Sequence, residues 1–258
     1  MKRQICLTIS YDGSHYCGFQ IQPNAISIEE CLNNALTKIA GHPVSILGAS
    51  RTDAGVHAEG QRATFFLEGR IPTDHICNAV NGLLPDDIVV TAAEEVPEDF
   101  HCRHDAVGKH YRYTLRNTPI SSPFDRLYSY HFPGKLDLNA VEKAIPLFLG
   151  EKNFEAFTAA NSGRTDFVRR LDLITVHSDG DHVFFDFWGG GFLYKMVRSI
   201  TGSLIDVGRG YFGTDVIEAA LATGDRSLLS LTAPSRGLSL IKIYYDEKYY
   251  LDKEKSLR

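Results

Sequence analysis

Nowhere does the chain hold an apolar run approaching the about 18 residues that a transmembrane helix requires. Its start, Met1-Lys2-Arg3-Gln4-Ile5-Cys6, passes directly into a strand pattern with no signal-peptide core. A cytoplasmic protein without a membrane segment is therefore expected. Cysteine is scarce. There are five, an odd number, widely spaced and with no C-x-x-C pair, which disfavours both a disulfide framework and a zinc site. Free thiols and no metal are expected. An excess of positive charge is also missing, since 27 Lys+Arg stand against 32 Asp+Glu for a net charge of -5. That balance argues against a protein that coats nucleic acid nonspecifically. What remains is an ordinary globular composition, 43% hydrophobic and 23% charged, enough for one large domain or two small ones.

The basic residues that are present gather locally. Between His101 and Arg116 lie Arg103, Lys109, Arg112 and Arg116 with three histidines, against the single acid Asp105. Arg164, Arg169 and Arg170 form a second group, and Lys195, Arg198 and Arg209 a third. Each alone is what a solvated face would show; three on an acidic chain favour an anionic ligand held in a groove.

The periodicity predicts a strand over Ile5–Tyr11, ended by the turn signal Asp12-Gly13-Ser14. Ser27-Ile28-Glu29-Glu30 is a capping box, followed by Ile28, Cys31, Leu32, Ala35, Leu36 and Ile39 at helical spacing until Gly41. A strand over Val44–Ala49, another over Gln61–Leu67, a helix over Asp74–Leu84 and a strand over Ile88–Val96 complete a β-α-β-β-α-β order. That is the ferredoxin-like unit also used by RNA-recognition modules. From Lys109 the pattern restarts. His110 to Arg116 alternates strictly, with Tyr111, Tyr113 and Leu115 on one face and His110, Arg112, Thr114 and Arg116 on the other. A helix over Asn139–Leu149 kinked at Pro146 follows, then a hairpin of Phe167–Val176 and Val183–Trp188 about Ser178-Asp179-Gly180-Asp181. After Gly189-Gly190-Gly191 a helix is predicted with Phe192, Met196, Ile200 and Leu204 in one row and Lys195 and Arg198 on a more polar side. Thr214 is expected to cap a short last helix, and Leu238–Tyr245 to close the chain as a strand. With no long linker or low-complexity segment, two α+β subdomains are expected, 1–106 and 107–258, sharing one sheet with a cleft between them.

One carboxylate stands out. In Ser50-Arg51-Thr52-Asp53-Ala54-Gly55-Val56-His57-Ala58-Glu59, Asp53 follows a strand and lies between an arginine and a glycine. A carboxylate at a strand end is held by the scaffold, and a nearby guanidinium can keep it ionised as a nucleophile or base. The same letters also suit an Asx turn, with Asp53 capping its own backbone and Gly55 supplying positive φ. Arg-Thr-Asp recurs at Arg164-Thr165-Asp166, where Phe167 follows in place of Ala-Gly, and this second copy reads as surface. The triplet alone thus says little.

Taken together, Tyr11-Asp12-Gly13, Gly18-Phe19-Gln20, Arg51 to Ala58, Lys109-His110-Tyr111-Arg112-Tyr113, Phe192 to Arg198 and Ala233-Pro234-Ser235-Arg236-Gly237-Leu238 closely resemble the TruA family of tRNA pseudouridine synthases. The resemblance spans nearly the whole chain. It implies the α+β pseudouridine synthase fold: two ferredoxin- or RRM-like subdomains sharing a mixed, mostly antiparallel sheet about a central active-site cleft. It implies a homodimeric isomerase that converts uridine to pseudouridine in the anticodon stem-loop of tRNA, at nucleotides 38 to 40, with no cofactor or metal. By the same resemblance Asp53 is the catalytic aspartate, Tyr111 the aromatic packed on the target uracil and Arg198 the ion-pair partner of Asp53. Arg51 occupies or stabilises the space left by the extruded base, and Leu238 belongs to the apolar wall. His57, Lys195 and Arg112 complete the expected substrate-binding set. Lys195 departs from the family, where Asn or His is more usual, as do Ser50 and the Ser-Ile-Glu at 27–29.

The chemistry suits these residue types. Uridine must lose its N1–C1′ bond, have the base turned and form a C5–C1′ bond, with atoms conserved and no redox change. A carboxylate suffices, by attack at C1′, addition to C6 or removal of a C2′ proton. A noncatalytic RRM-like RNA-binding module is the alternative, because the element order and basic strands would serve it. It leaves unexplained a carboxylate set beside an anionic ligand. A retaining glycosidase-like hydrolase would need a second carboxyl about 5 to 5.5 Å from Asp53. Asp12 is the candidate, though Asp12-Gly13 reads more simply as a turn.

Overall fold

A computed structural model describes residues 2–159 and 165–246. In chain order the elements are β1 (Lys2–Tyr11), α1 (Ile28–Ala40), β2 (Leu47–Gly48), β3 (His57–Glu68), α2 (Thr73–Asn81), β4 (Ile88–Val96), β5 (Gly108–Arg116) and β6 (Tyr130–His131). There follow α3 (Leu138–Ala144), β7 (Gly150–Asn153), β8 (Val168–Asp179), β9 (His182–Gly189), α4 (Met196–Gly208), α5 (Thr214–Thr223) and β10 (Leu238–Tyr244). The chain divides into two compact units, one running to Val107 and taking in Ser239–Tyr245, the other Gly108–Leu238. The α+β class is as expected.

In the first unit the strand order is β4-β1-β3-β10, with β2 beside β3. β1 runs antiparallel to β3 and β4, and the closing strand runs parallel to β3 with Ser239 opposite His57. The β-α-β-β-α-β order holds. Helix α1 begins as the capping box requires, Ser27 Oγ accepting the Glu30 N–H at 3.2 Å, and ends on Gly41 at φ 72°. Its apolar stripe, Ile28, Leu32, Ala35 and Leu36, is buried.

The strand expected over Val44–Ala49 shrinks to Leu47–Gly48. Helix α1 is the reason, because Thr37 Oγ1 takes the Val44 N–H at 3.0 Å and Asn33 Oδ1 takes that of Ile46 at 2.9 Å. Val44, Ile46 and Ala49 are buried as a strand's would be, but helix side chains satisfy part of their backbone. β3 in turn starts four residues earlier than expected, at His57.

In the second unit the order is β5-β9-β8-β7, all antiparallel, with β6 parallel to β5. The face carrying Tyr111, Tyr113 and Leu115 is buried, in register with Phe187, Phe185 and Val183. Pro146, lacking an N–H, ends α3 and leaves a 3-10 turn over Ile145–Phe148. Helix α4 is buried along nearly its whole length. It starts at Met196 rather than at Phe192, because Lys195 adopts the left-handed conformation (φ 62°, ψ 5°). Lys195 is therefore not on the helix face where periodicity put it. Thr214 is the first residue of α5 and makes no cap; Gly213 precedes it.

Candidate active site

Asp53 sits in the loop between β2 and β3, held by β1, the residues after it and the start of β3. Val56 N–H donates to Asp53 O at 3.1 Å, and Gly55 takes φ 73° at the position where a type II turn needs it. Gly55 N–H, the donor an Asx turn would use, donates to Tyr16 O at 3.3 Å. Neither bond involves the Asp53 side chain. The carboxylate is half-buried, between exposed Arg51 and exposed Ala54, while Thr52 and Val56 are buried.

The loop is fixed from three sides. Thr52 O accepts Phe19 N–H at 3.1 Å, and Thr52 Oγ1 lies 2.7 Å from the Tyr11 hydroxyl. Gly18, at φ 97°, crosses the loop so closely that a Cβ there would lie 2.7 Å from Thr52 O. Gln61 on β3 is wholly buried; its amide accepts Ser50 N–H at 3.1 Å and donates to Ser50 O at 2.8 Å. A side chain thus takes the place of a strand partner where β2 stops. The sequence does not single out Gln61, which is one of several polar residues on β3.

His57 was expected to touch substrate. It is buried, with Nδ1 3.1 Å from both Gly13 N and an Asp12 oxygen. A backbone N–H is an obligate donor, so we assign Nδ1 as acceptor with the ring proton on Nε2. Asp12 caps the following turn by accepting Ser14 N–H at 2.9 Å, as a strand-end turn residue would.

The second unit carries the other expected residues. Tyr111 is buried on β5 with Phe192 edge-on to its ring, at 5.0 Å and 74°. Arg198 donates from Nε to Ala233 O at 2.7 Å, and Ala233 N–H returns a bond to Arg198 O at 3.0 Å. Leu238 is buried at the start of β10. Lys195 holds its ammonium 5.1 Å from the Tyr194 ring.

The left-handed backbone at Lys195 costs an L-residue with a Cβ roughly 1 kcal/mol, less for asparagine. Lys195→Asn is therefore expected to raise the melting temperature by about 2 °C. A lower melting temperature in that variant would show that the lysine side chain more than offsets its backbone strain.

Arg112 points at Asp186, which is buried and accepts from Arg112 Nε at 2.9 Å, Arg112 Nη2 at 3.1 Å and His110 Nε2 at 2.7 Å. Burial alone would raise the Asp186 pKa; the hydrogen bonds from His110 and Arg112 outweigh it and hold the carboxyl below its usual range. A depressed folded-state pKa contributes stability above the unfolded value, here about 3.9, and loses it as pH falls through the folded one. Urea midpoints for the native protein should thus fall steeply below about pH 4, whereas Asp186→Asn should be less stable at pH 7 by about 2 kcal/mol or more and show a shallower acid limb. Parallel acid limbs would remove Asp186 from the acid response.

The basic groups seen in the sequence are largely matched within the fold. Arg116 pairs with Asp125 at 3.0 Å and Asp181 at 2.6 Å, Arg169 with Asp166, Arg170 with Asp172, and Arg209 with Asp206. Asp166, Asp172 and Asp206 lie within three residues of their arginines, whereas Asp181 is brought to Arg116 by the fold, so the positive field is weaker than the arginines alone suggest. Arg164 lies outside the described residues. No group of three or more His, Cys, Asp or Glu suited to a metal occurs among the described residues, and the cysteines described are free thiols.

A family model described as tRNA pseudouridine synthase matches residues 7–105 and 144–246. The tRNA pseudouridine synthase A of Geotalea uraniireducens (strain Rf4) is 43% identical over 94% of this chain and 100% of its own length. The protein of the same name from Ruminiclostridium cellulolyticum is 44% identical, again over 94% and 100%. That from Geotalea daltonii is 42% identical over the same shares.

Proposed function

The chain belongs to the tRNA pseudouridine synthase family, and from that premise we propose that it isomerises uridine to pseudouridine at nucleotides 38 to 40 of the tRNA anticodon stem-loop, with Asp53 as the catalytic carboxylate. The isomerisation breaks the N1–C1′ bond, turns the base and forms a C5–C1′ bond. C5 gives up its proton and N1 gains one, so the formula is unchanged and no oxidant or reductant enters.

The observation that carries this reading is the turn at Asp53. The main chain closes it, through Val56 N–H to Asp53 O and Gly55 N–H to Tyr16 O, and sets the Asp53 side chain half-buried beside exposed Arg51. A half-buried carboxylate must stay ionised to act as nucleophile or base, and burial opposes that. Arg198 supplies the opposing positive charge. The target base lies inside a paired stem and must be flipped out, at a cost of a few kcal/mol. Tyr111 offers a stacking face worth about 1 to 3 kcal/mol, and its hydroxyl is suited to taking the C5 proton late in the reaction. Arg51, exposed beside Asp53, fills the space the base leaves, and Leu238 contributes apolar surface. Lys195, His57 and Arg112 complete the set, His57 through the loop it braces and Arg112 through its exposed edge. The enzyme works as a homodimer in the cytoplasm.

Mapping pseudouridine in cellular tRNA before and after loss of the protein tests the assignment. Loss confined to positions 38 to 40 is expected. Unchanged modification there would refute it.

A further inference from the structure

Arg226 is a half-buried guanidinium with no carboxylate paired to it among the described residues. All its partners are neutral oxygens. Nη1 lies 3.2 Å from Ala156 O, 3.2 Å from Thr158 O and 3.2 Å from Ser199 Oγ, and Nη2 donates to Thr232 Oγ1 at 2.6 Å. Taking a charge partly out of water without an opposite charge is costly, so these bonds must fix something that simple apolar packing would not.

The three segments it ties are those that set Arg198. Ser199 follows Arg198 on α4. Thr232 precedes Ala233, whose carbonyl accepts Arg198 Nε and whose N–H donates to Arg198 O. Thr158 Oγ1 donates to Tyr194 O at 3.0 Å and Ala159 N–H does so at 3.2 Å, which secures the turn leading into α4. The segment before Ala233 passes close against the helix, since a Cβ at Gly202 would stand 2.0 Å from Leu231 O. Arg198 is therefore placed by a helix, by the segment around Thr158 that secures the turn into that helix and by the segment that clamps it, and one planar fork joins all three.

We propose that Arg226 is a positioning residue for Arg198, holding its guanidinium in the orientation the isomerisation needs. This rests on the role given to Arg198 above. Lysine keeps the charge but is a point donor that cannot span three segments as a rigid fork does.

The test is a double-mutant cycle in single-turnover isomerisation with saturating tRNA, alongside tRNA affinity. Arg226→Lys is expected to slow the step roughly tenfold while the Kd for tRNA moves less than about twofold. In an Arg198→Leu background the same change should alter the rate less than about twofold, because there is no longer a guanidinium to position. A full tenfold loss in both backgrounds, or a wild-type rate for Arg226→Lys, would overturn the proposal. A wild-type rate for Arg198→Leu alone would instead overturn the role of Arg198. Should Arg226→Lys fail to fold, Thr232→Val, which deletes one acceptor, must show the same dependence on the Arg198 background; an additive effect there would equally overturn it.

Discussion

Replacing Asp53 by asparagine is expected to abolish tritium release from tRNA labelled at uracil C5, by at least about 1,000-fold, while the fold and tRNA affinity persist. The side chains are nearly isosteric. Val56 N–H to Asp53 O and Gly55 N–H to Tyr16 O are main-chain bonds that the exchange leaves untouched. Thr52 remains anchored to Tyr11 and Phe19. What changes is the negative charge, and each of the three routes open to the reaction needs it: attack at C1′, addition to C6, or proton removal at C2′. Residual turnover within tenfold of the native protein would remove Asp53 from the chemistry. A collapse in melting temperature would instead reassign the carboxylate to holding the loop.

The second large effect is expected at a residue that carries no functional group. Gly13 packs under the turn so closely that an alanine Cβ would stand 2.0 Å from Val56 O and 2.7 Å from Val56 C. Both partners are main chain, so no rotamer relieves the clash. Either the turn after β1 or the loop that begins at Asp53 must shift by more than about 1 Å. Gly13 N–H to His57 Nδ1 and Gly55 N–H to Tyr16 O transmit that shift to both ends of the loop. Overpacking of this kind costs about 1 to 3 kcal/mol, which for a chain of this size lowers the melting temperature by several degrees. Misplacing a catalytic group by about 1 Å can cost a further 100-fold in rate. Gly13→Ala should therefore lose activity beyond its loss of stability when both are measured below the melting transition. A variant that melts lower yet turns over at the native rate would show that the turn after β1 does not set the position of Asp53.

Much of this was legible in the chain because the signals were local. The capping box at Ser27, the glycine closing α1 and the bounds of β4 depend on residues within a few positions of one another. The identity of Asp53 as more than a turn residue rested on motifs from both halves taken together, and the two Arg-Thr-Asp copies show why. Asp166 does what the turn reading predicts, accepting Val168 N–H at 3.0 Å and pairing with Arg169 on the surface. At Asp53 the N–H two residues on, that of Gly55, donates to Tyr16 O at 3.3 Å. Tyr16 is distant from Asp53 in sequence, and no local rule contains that bond.

The parts that were not legible have the same origin. The strand before Asp53 looked long because its apolar residues are buried, yet Asn33 and Thr37 of α1 satisfy its backbone. Helix α4 starts late because one lysine adopts a left-handed backbone that periodicity does not register. Arg112 and Arg116 are muted by Asp186 and Asp181, far from them in sequence. Arg226 sits in no motif at all, and only its bonds to three separate segments mark it.

The role of Asp53 in uridine isomerisation can be read by incubating purified protein, native and Asp53→Asn, with an unmodified tRNA transcript and locating pseudouridine by nucleotide. Conversion within positions 38 to 40 by the native protein and none by the variant is expected; a transcript left unmodified by the native protein would refute the activity, and one modified equally by both would remove Asp53 from it.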